Sequence, residues 1–308
     1  MTKPLLIAPG KTYLITRNTR GRHFFLVPDD PVVTDIFKFC AARAAELSGV
    51  SIHAICVMST HVHIVLTDTQ GALPIFTQWF FRHTALCLKS LRGIDENLWS
   101  AERHPPVELL TPEAVIDAMA YVITNPTTAN LVAHYYQWPG WVSAPQQMLA
   151  ERSEQQPVPE VYFKNTKVAG KLKLTVPELA MGQMDRQEVV EAVEAMIEQY
   201  EEDAKAKRQS EGKKVLGRQA VIATDPFDRA RPRPSSGGAE EDEGDGLVPR
   251  FKARCREALK EARERLKWFW QAYREAYESL RAGEPDVVFP FGTWWYREYL
   301  GVLVTPAY

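Results

Sequence analysis

Apolar positions in the first part of the chain alternate between two periods. Residues 12–17 (Thr-Tyr-Leu-Ile-Thr-Arg) and 22–27 (Arg-His-Phe-Phe-Leu-Val) read as two short strands around the turn Asn18-Thr19-Arg20-Gly21. Over 32–47 the spacing becomes helical, with Val32, Val33, Ile36, Phe37, Cys40, Ala44 and Leu47 on one side. Asp30 is placed to cap that helix, Pro31 stands in its first turn, and Gly49 lies just past its end. Strands follow at 51–58 and 61–67, joined by the short Ser59-Thr60 connection as a hairpin. A mostly apolar helix is predicted over 73–91 and another over 112–124, opened by Thr111-Pro112-Glu113. The order ββαββαα predicts an α+β fold in which helices pack on an antiparallel sheet.

The texture changes beyond residue 150. Residues 151–160 are polar and proline-punctuated, as in a linker, and 161–175 fit a small hairpin. Asp185 and Glu188 form a capping box before Val189, Val193, Met196, Ile197 and Tyr200, predicting a helix of about 20 residues. Residues 231–249 are of low complexity and read as a flexible segment. A charged helix is predicted over 250–281, with Leu259, Leu266, Phe269, Trp270 and Tyr273 on one side, and an aromatic tail closes the chain. The pattern divides the chain into a domain over 1–150 and a mainly helical extension over 151–308, with no internal repeat.

Composition narrows the function classes. The 308 residues carry 37 Lys+Arg against 39 Asp+Glu, a formal net charge of −2, balanced on both sides of residue 150. A polycation that coats nucleic acid by bulk charge is excluded, so any contact with a polyanion needs a local patch. The cysteines Cys40, Cys56, Cys87 and Cys255 show no CxxC spacing, which fits buried thiols in a reducing compartment. The N-terminal residues are too short and proline-broken for a signal peptide, and no apolar run reaches the ~18 residues of a membrane span. The expectation is a cytoplasmic protein without a membrane partner.

Two segments carry candidate chemistry. In Met58-Ser59-Thr60-His61-Val62-His63, the two histidines are two apart on a strand and project to the same face, forming half of a divalent-metal site. In Ala120-Tyr121-Val122-Ile123-Thr124-Asn125-Pro126, Tyr121 and Asn125 are four apart on a helix and share a face, and Pro126 marks the helix end. Taken singly, each also reads as ordinary structure: histidines on a half-exposed strand, and a buried tyrosine before an Asn-Pro stop.

As an ordered set they resemble the single-tyrosine HUH transposases, and in particular the branch of REP-associated tyrosine transposases. Further matches are Tyr13-Leu14-Ile15-Thr16-Arg17, Ile52-His53-Ala54-Ile55-Cys56-Val57-Met58, Ala129-Asn130-Leu131-Val132 and Tyr136-Gln137-Trp138-Pro139-Gly140. The likeness spans roughly residues 10–145. The chain departs from the family pattern at Ser59-Thr60, where Pro-Asn is common, and at Asn130, where Gly is common. The long extension resembles that of larger bacterial members.

The resemblance implies a ferredoxin-like (RRM-like) HUH fold and a single-stranded DNA endonuclease and strand transferase working through a 5′-phosphotyrosine intermediate. Tyr121 would be the nucleophile, and His61, His63 and Asn125 would hold a divalent metal, Mg²⁺ or Mn²⁺, of which two imidazoles favour the softer ion. Single-stranded DNA carrying a hairpin would be the partner, in the cytoplasm at the nucleoid. A homodimer and a single chain acting on its own site both stay open.

The residues themselves offer DNA contacts. Lys11, Arg17, Arg20 and Arg22, with His23 beside them, are the densest basic cluster of the first half. Arg229, Arg231 and Arg233, and the run Arg250, Lys252, Arg254 and Arg256, are candidates for a DNA stem, although a charged helix is usually a solvated face. Trp79, Phe80, Phe81, Trp99 and Trp138 suit base stacking or, more in keeping with their spacing, the core. His53, Arg82 and His83 are secondary candidates near the metal. The competing reading is a catalytically silent DNA-binding regulator, and a zinc hydrolase lacks both HExxH and a placed carboxylate base.

Overall fold

The computed structural model describes residues 4–102, 105–165, 168–182, 184–230 and 250–306. Its main sheet comprises β1 (Lys11–Asn18), β2 (Ser51–Met58), β3 (His61–Asp68), β4 (Val107–Leu109) and, from the extension, β7 (Arg250–Lys252), in the order β2-β3-β1-β4-β7. All pairs are antiparallel except β4 with β7. Helices α1 (Pro31–Ser48) and α2 (Leu73–Arg92) pack on each other, and α3 (Pro112–Ile123) packs on β2 and β3. Short α4 (Asn125–Thr128) follows α3 directly. The α+β reading with a mainly antiparallel sheet holds.

Local chemistry sets the helix ends. Asp30 accepts from Val32 N at 2.8 Å and Gly49 closes α1 in the left-handed conformation, φ 71°. Thr111 caps α3, accepting from Ala114 N at 3.3 Å. Pro126 does not end helical structure: it sits in the first turn of α4, where a missing N–H leaves no bond unmade.

The expected strand at 22–27 does not form. A 3-10 turn spans Arg20–Arg22, and Phe24 and Leu26 then bond singly to Asp228 O and Ser59 O. One edge of β1 is filled by β3 along its length; on the other, β4 takes Thr12–Leu14, and residues 98–100 bond to Asn18 and Arg20 and bridge to Thr19 where a hairpin partner would begin. The hairpin expected within 161–175 is instead β5 (Glu154–Gln156) paired with β6 (Gly170–Leu172), so the segment read as a linker supplies one strand.

Beyond residue 150, α5 (Glu178–Met181) and α6 (Arg186–Ser210) pack on α3. The Asp185–Glu188 capping box opens α6, which runs 25 residues. Val189, Val193 and Ile197 of α6 join the same apolar core as Ile36, Phe37, Ile64 and Val122. Short α7 (Arg218–Ile222) adds the buried Val221. The charged helix begins later than expected: residues 250–252 extend the sheet beside β4, whose outer edge is open to them, and α8 runs Arg256–Ala282.

The aromatic tail forms β8 (Val288–Phe289), α9 (Trp295–Leu300) and β9 (Leu303–Val304), packed on α8 in a second cluster around Phe269, Tyr273 and Phe289. Arg265 of α8 reaches Glu108 of β4 at 2.8 Å, tying that cluster to the sheet. The low-complexity run 231–249, with Arg231 and Arg233, lies outside the described residues. Among the described residues no helix is long and apolar enough to cross a membrane.

Candidate active site

The sheet face under α3 opens at one end into a cleft of about 530 Å³, within the usual ~300–1,000 Å³ of ligand clefts. His61, His63, Tyr121 and Asn125 all line it. The strand period of two puts both imidazoles on this face, with ring centres 4.7 Å apart and nearly perpendicular. Tyr121, near the C-terminal end of α3, lies edge-on to His63 at 5.5 Å between centroids. Asn125, one helical turn on, is buried and shares the cleft, although the chain is rephased at Thr124 between the two helices.

Register with β1 furnishes what the histidine motif alone could not. Thr16 pairs with His63 and Asn18 with His61, so both line the cleft. Thr16 Oγ1 hydrogen-bonds His63 Nδ1 at 2.8 Å, and Thr60 Oγ1 hydrogen-bonds His61 Nδ1 at 2.9 Å. The departure at Ser59-Thr60 therefore has a structural role. Thr60 O also accepts from Thr19 N, and Ser59 O accepts from Leu26 N, pinning the turn before the histidines. Asn130, the other departure, has φ 60°, the left-handed conformation that asparagine tolerates better than most residues.

A polar relay lies beside the tyrosine on α3. Asp117, one turn before Tyr121, pairs with Lys252 of β7 and accepts from Tyr200 Oη of α6 at 2.7 Å. Burial opposes ionisation of Asp117, but the bonds from Lys252 and Tyr200 hold its carboxyl below the usual value. Burial, together with the Asp117 carboxylate, pushes the Tyr200 phenol up to about 12.

The basic candidates separate. Arg22 lines the cleft. Lys11 is at the opposite end of β1 from Asn18 and pairs with Glu108 at 3.3 Å. Arg17 points to the other face, over the Phe81 ring of α2, and donates to Ser100 O. Arg20 pairs with Glu96. Arg250 of the extension, with Leu216, Val221, Thr224 and Ala230, also lines the cleft. The sequence offered Arg250 only as one of a basic run, because the pairing of β7 with β4 is a long-range event.

The remaining candidates are structural. His53 sits where the β2–β3 register shifts, its Nδ1 on Thr175 O and its Nε2 on Thr67 Oγ1, both at 2.7 Å. Burial pushes its pKa down to about 4. His83 stacks on Trp79 and bonds the Trp79 carbonyl. Phe80, Trp99 and Trp138 are core, the two indoles donating to Phe81 O and Val57 O. Cys40, Cys56 and Cys87 are buried free thiols, and Cys255 is exposed.

Neither a protein-family model nor a curated protein matches this chain. Solved structures do, and two of them are as follows. One is a protein provisionally named a transposase from Deinococcus radiodurans R1, 27% identical, covering 33% of this chain and 82% of its own, with a TM-score of 0.27. The other is a REP-associated tyrosine transposase bound to a REP hairpin, 14% identical, covering 56% of this chain and 98% of its own, with a TM-score of 0.37. In the order of its histidine strand, its tyrosine helix and its Asn-Pro turn, the chain is similar to the single-tyrosine HUH transposases.

Proposed function

We propose that the chain is a metal-dependent single-stranded DNA endonuclease and strand transferase, a transposase, with Tyr121 as nucleophile. The observation that carries this reading is the convergence of His61, His63, Tyr121 and Asn125, drawn from a strand and two helices, on one cleft. In the reaction Tyr121 Oη attacks the scissile phosphorus, the phosphotyrosine bond forms as the bond to the 3′ oxygen breaks, and the phenolic proton is exchanged for that of the released 3′-hydroxyl. A second 3′-hydroxyl reverses the step and rejoins the strand, so the phosphodiester energy is conserved.

Among the described residues no three His, Cys, Asp or Glu are grouped to hold a metal. The donor set is therefore two imidazoles and a neutral amide, which on softness favours Mn²⁺ over the Mg²⁺ that the resemblance also allows, with room for phosphate. The threonine bonds fix each ring through Nδ1, so Nε2 is the nitrogen that would ligate. When bound, the ion would neutralise a nonbridging phosphate oxygen and lower the barrier to attack by an anionic nucleophile. The substrate is single-stranded DNA flanking a hairpin, which follows from the motif resemblance.

The test is incubation of wild type and Tyr121→Phe with labelled hairpin-bearing single strands in Mg²⁺, Mn²⁺ or EDTA. A metal-dependent adduct that survives SDS and is lost in Tyr121→Phe is expected. Tight binding with no adduct across substrates and metals would make the chain a silent DNA-binding regulator. A cut product still made by Tyr121→Phe would remove the tyrosine from the mechanism.

A further inference from the structure

The cleft has a second wall, and the extension builds it. Residues 213–230 cross over the sheet end as a strap tied at both ends to chain that lines the cleft. At one end Leu216 N and Gly217 N donate to Asn130 O and Leu131 O, just after the Asn-Pro turn, at 2.9 and 2.8 Å. At the other, Phe24 N donates to Asp228 O and Ala230 N to Arg22 O, each at 3.0 Å, while Arg229 Nε donates to His23 Nε2 at 2.8 Å. Between them α7 buries Val221. Five backbone and side-chain bonds make this a fixed wall.

Charge is distributed unevenly around it. Lys11, Arg20, Arg92, Lys252 and Arg265 are each paired with a carboxylate. Arg22 and Arg250 line the cleft and form no ion pair with any described residue. Arg250 is held at the sheet edge by the row Leu14, Val107, Arg250, all three of which face the cleft. Arg22 has φ 55°, directly after Gly21 at φ 56°. A left-handed arginine is strained where glycine would be relaxed, and such strain is retained where the side chain has work to do.

We propose that the strap and β7 close the cleft into a channel for one unpaired nucleic-acid strand, with Arg22 and Arg250 holding backbone phosphates and Leu216 and Leu131 contacting an unpaired base. The proposal deepens the transposase reading by naming how the substrate is held, and it rests on that reading for the identity of the cleft. The strap and β7 bring Arg22, Arg250 and Leu216 onto the same cleft of about 530 Å³ as Tyr121. Two guanidiniums without an ion pair give phosphate contacts, and Leu216 with Leu131 gives a sequence-tolerant apolar surface for a base.

The experiment is equilibrium binding of a fluorescein-labelled, unstructured single strand of roughly 16 nucleotides, the upper range of such sites, to the full chain in EDTA over a series of salt concentrations. Wild type is expected to bind the strand more tightly than the matching duplex. Arg250→Gln is expected to weaken binding by about 3- to 10-fold and to reduce the salt slope by about 0.7, the loss of one single-strand phosphate contact.

Arg22→Gly is expected to weaken binding similarly while raising the Tm, because it relieves the backbone; a purely structural role for Arg22 would lower it. Leu216→Ser weakens binding severalfold with the slope unchanged. Lys260→Gln, on the exposed side of α8, leaves both unchanged. Wild-type affinity and slope in Arg250→Gln, duplex bound as tightly as single strand, or no single-strand binding at all would each overturn the channel. If these binding effects appear but no tyrosine adduct forms, the transesterase reading fails alone; if the adduct forms and Arg250→Gln is silent in binding, the channel fails alone.

Discussion

On β3, successive residues look in opposite directions and meet different surroundings. Val62 and Ile64 are fully buried on the face that also carries Arg17 over the α2 ring of Phe81. His61 and His63 look to the other face, where threonine hydroxyls hold their Nδ1 atoms and a cleft opens beside Tyr121. One strand thus supplies core on one side and chemistry on the other, because side chains alternate while the backbone ladder holds both in place. The teaching contrast is His53 on the neighbouring strand. It too is an imidazole, but with its Nδ1 on Thr175 O and its Nε2 on Thr67 Oγ1 it is enclosed, 2% exposed. A histidine's chemistry is set by what lies beyond its hydrogen bonds.

The contrast breaks most sharply in adjacent substitutions. His63→Ala is expected to cut adduct formation on the order of 10³-fold, as loss of an electrostatic stabiliser does, with a Tm near wild type. Ile64→Ala is expected to do the reverse, lowering unfolding stability by about 2–5 kcal/mol through loss of buried volume while the folded fraction still forms adduct. If chemical denaturation shows His63→Ala to be the less stable of the two, the division between faces is wrong.

His53 gives a pH-dependent version. Its pKa in the folded chain, about 4, lies below the ordinary 6.5, so the unfolded chain binds the extra proton first. The stability it contributes is complete above about 6.5 and is lost as pH falls toward 4, a change of about 3 kcal/mol. His53→Gln should flatten denaturation midpoints across that window relative to wild type; an unchanged pH dependence would show that the imidazole is not the group responsible. The smallest effect sharpens the comparison within the site. Thr16→Val removes the partner of His63 Nδ1 and is expected to weaken metal-dependent adduct formation by about 10-fold, the lower range for residues that orient a ligand. Added Mn²⁺ should recover part of it, whereas a folding defect would not respond to metal.

Much of this was legible before the structure. The helix at 32–47 with its Asp30 cap, the hairpin around Ser59-Thr60, the same-face placement of His61 and His63, and the α6 capping box all follow from spacing within a few residues. The failures share a cause. At the end of β1 where the strand expected at 22–27 would pair, residues 98–100 bond instead, and the helix expected to start at 250 gave three residues to the open edge of β4. Of the four basic residues grouped near the N-terminus, only Arg22 lines the cleft, because strand parity turns Arg17 away and distance along β1 removes Lys11.

The sequence by itself determined the elements, the faces they present and the residue types able to do phosphoryl chemistry, since periods of two and 3.6 and the capping signals act between near neighbours. Only the tertiary structure decided which strands pair, and so which threonines orient the histidines, which arginines reach the cleft and how the extension walls it. Those outcomes depend on contacts between residues tens to hundreds of positions apart, and edge availability and register, which no local pattern encodes, select among them.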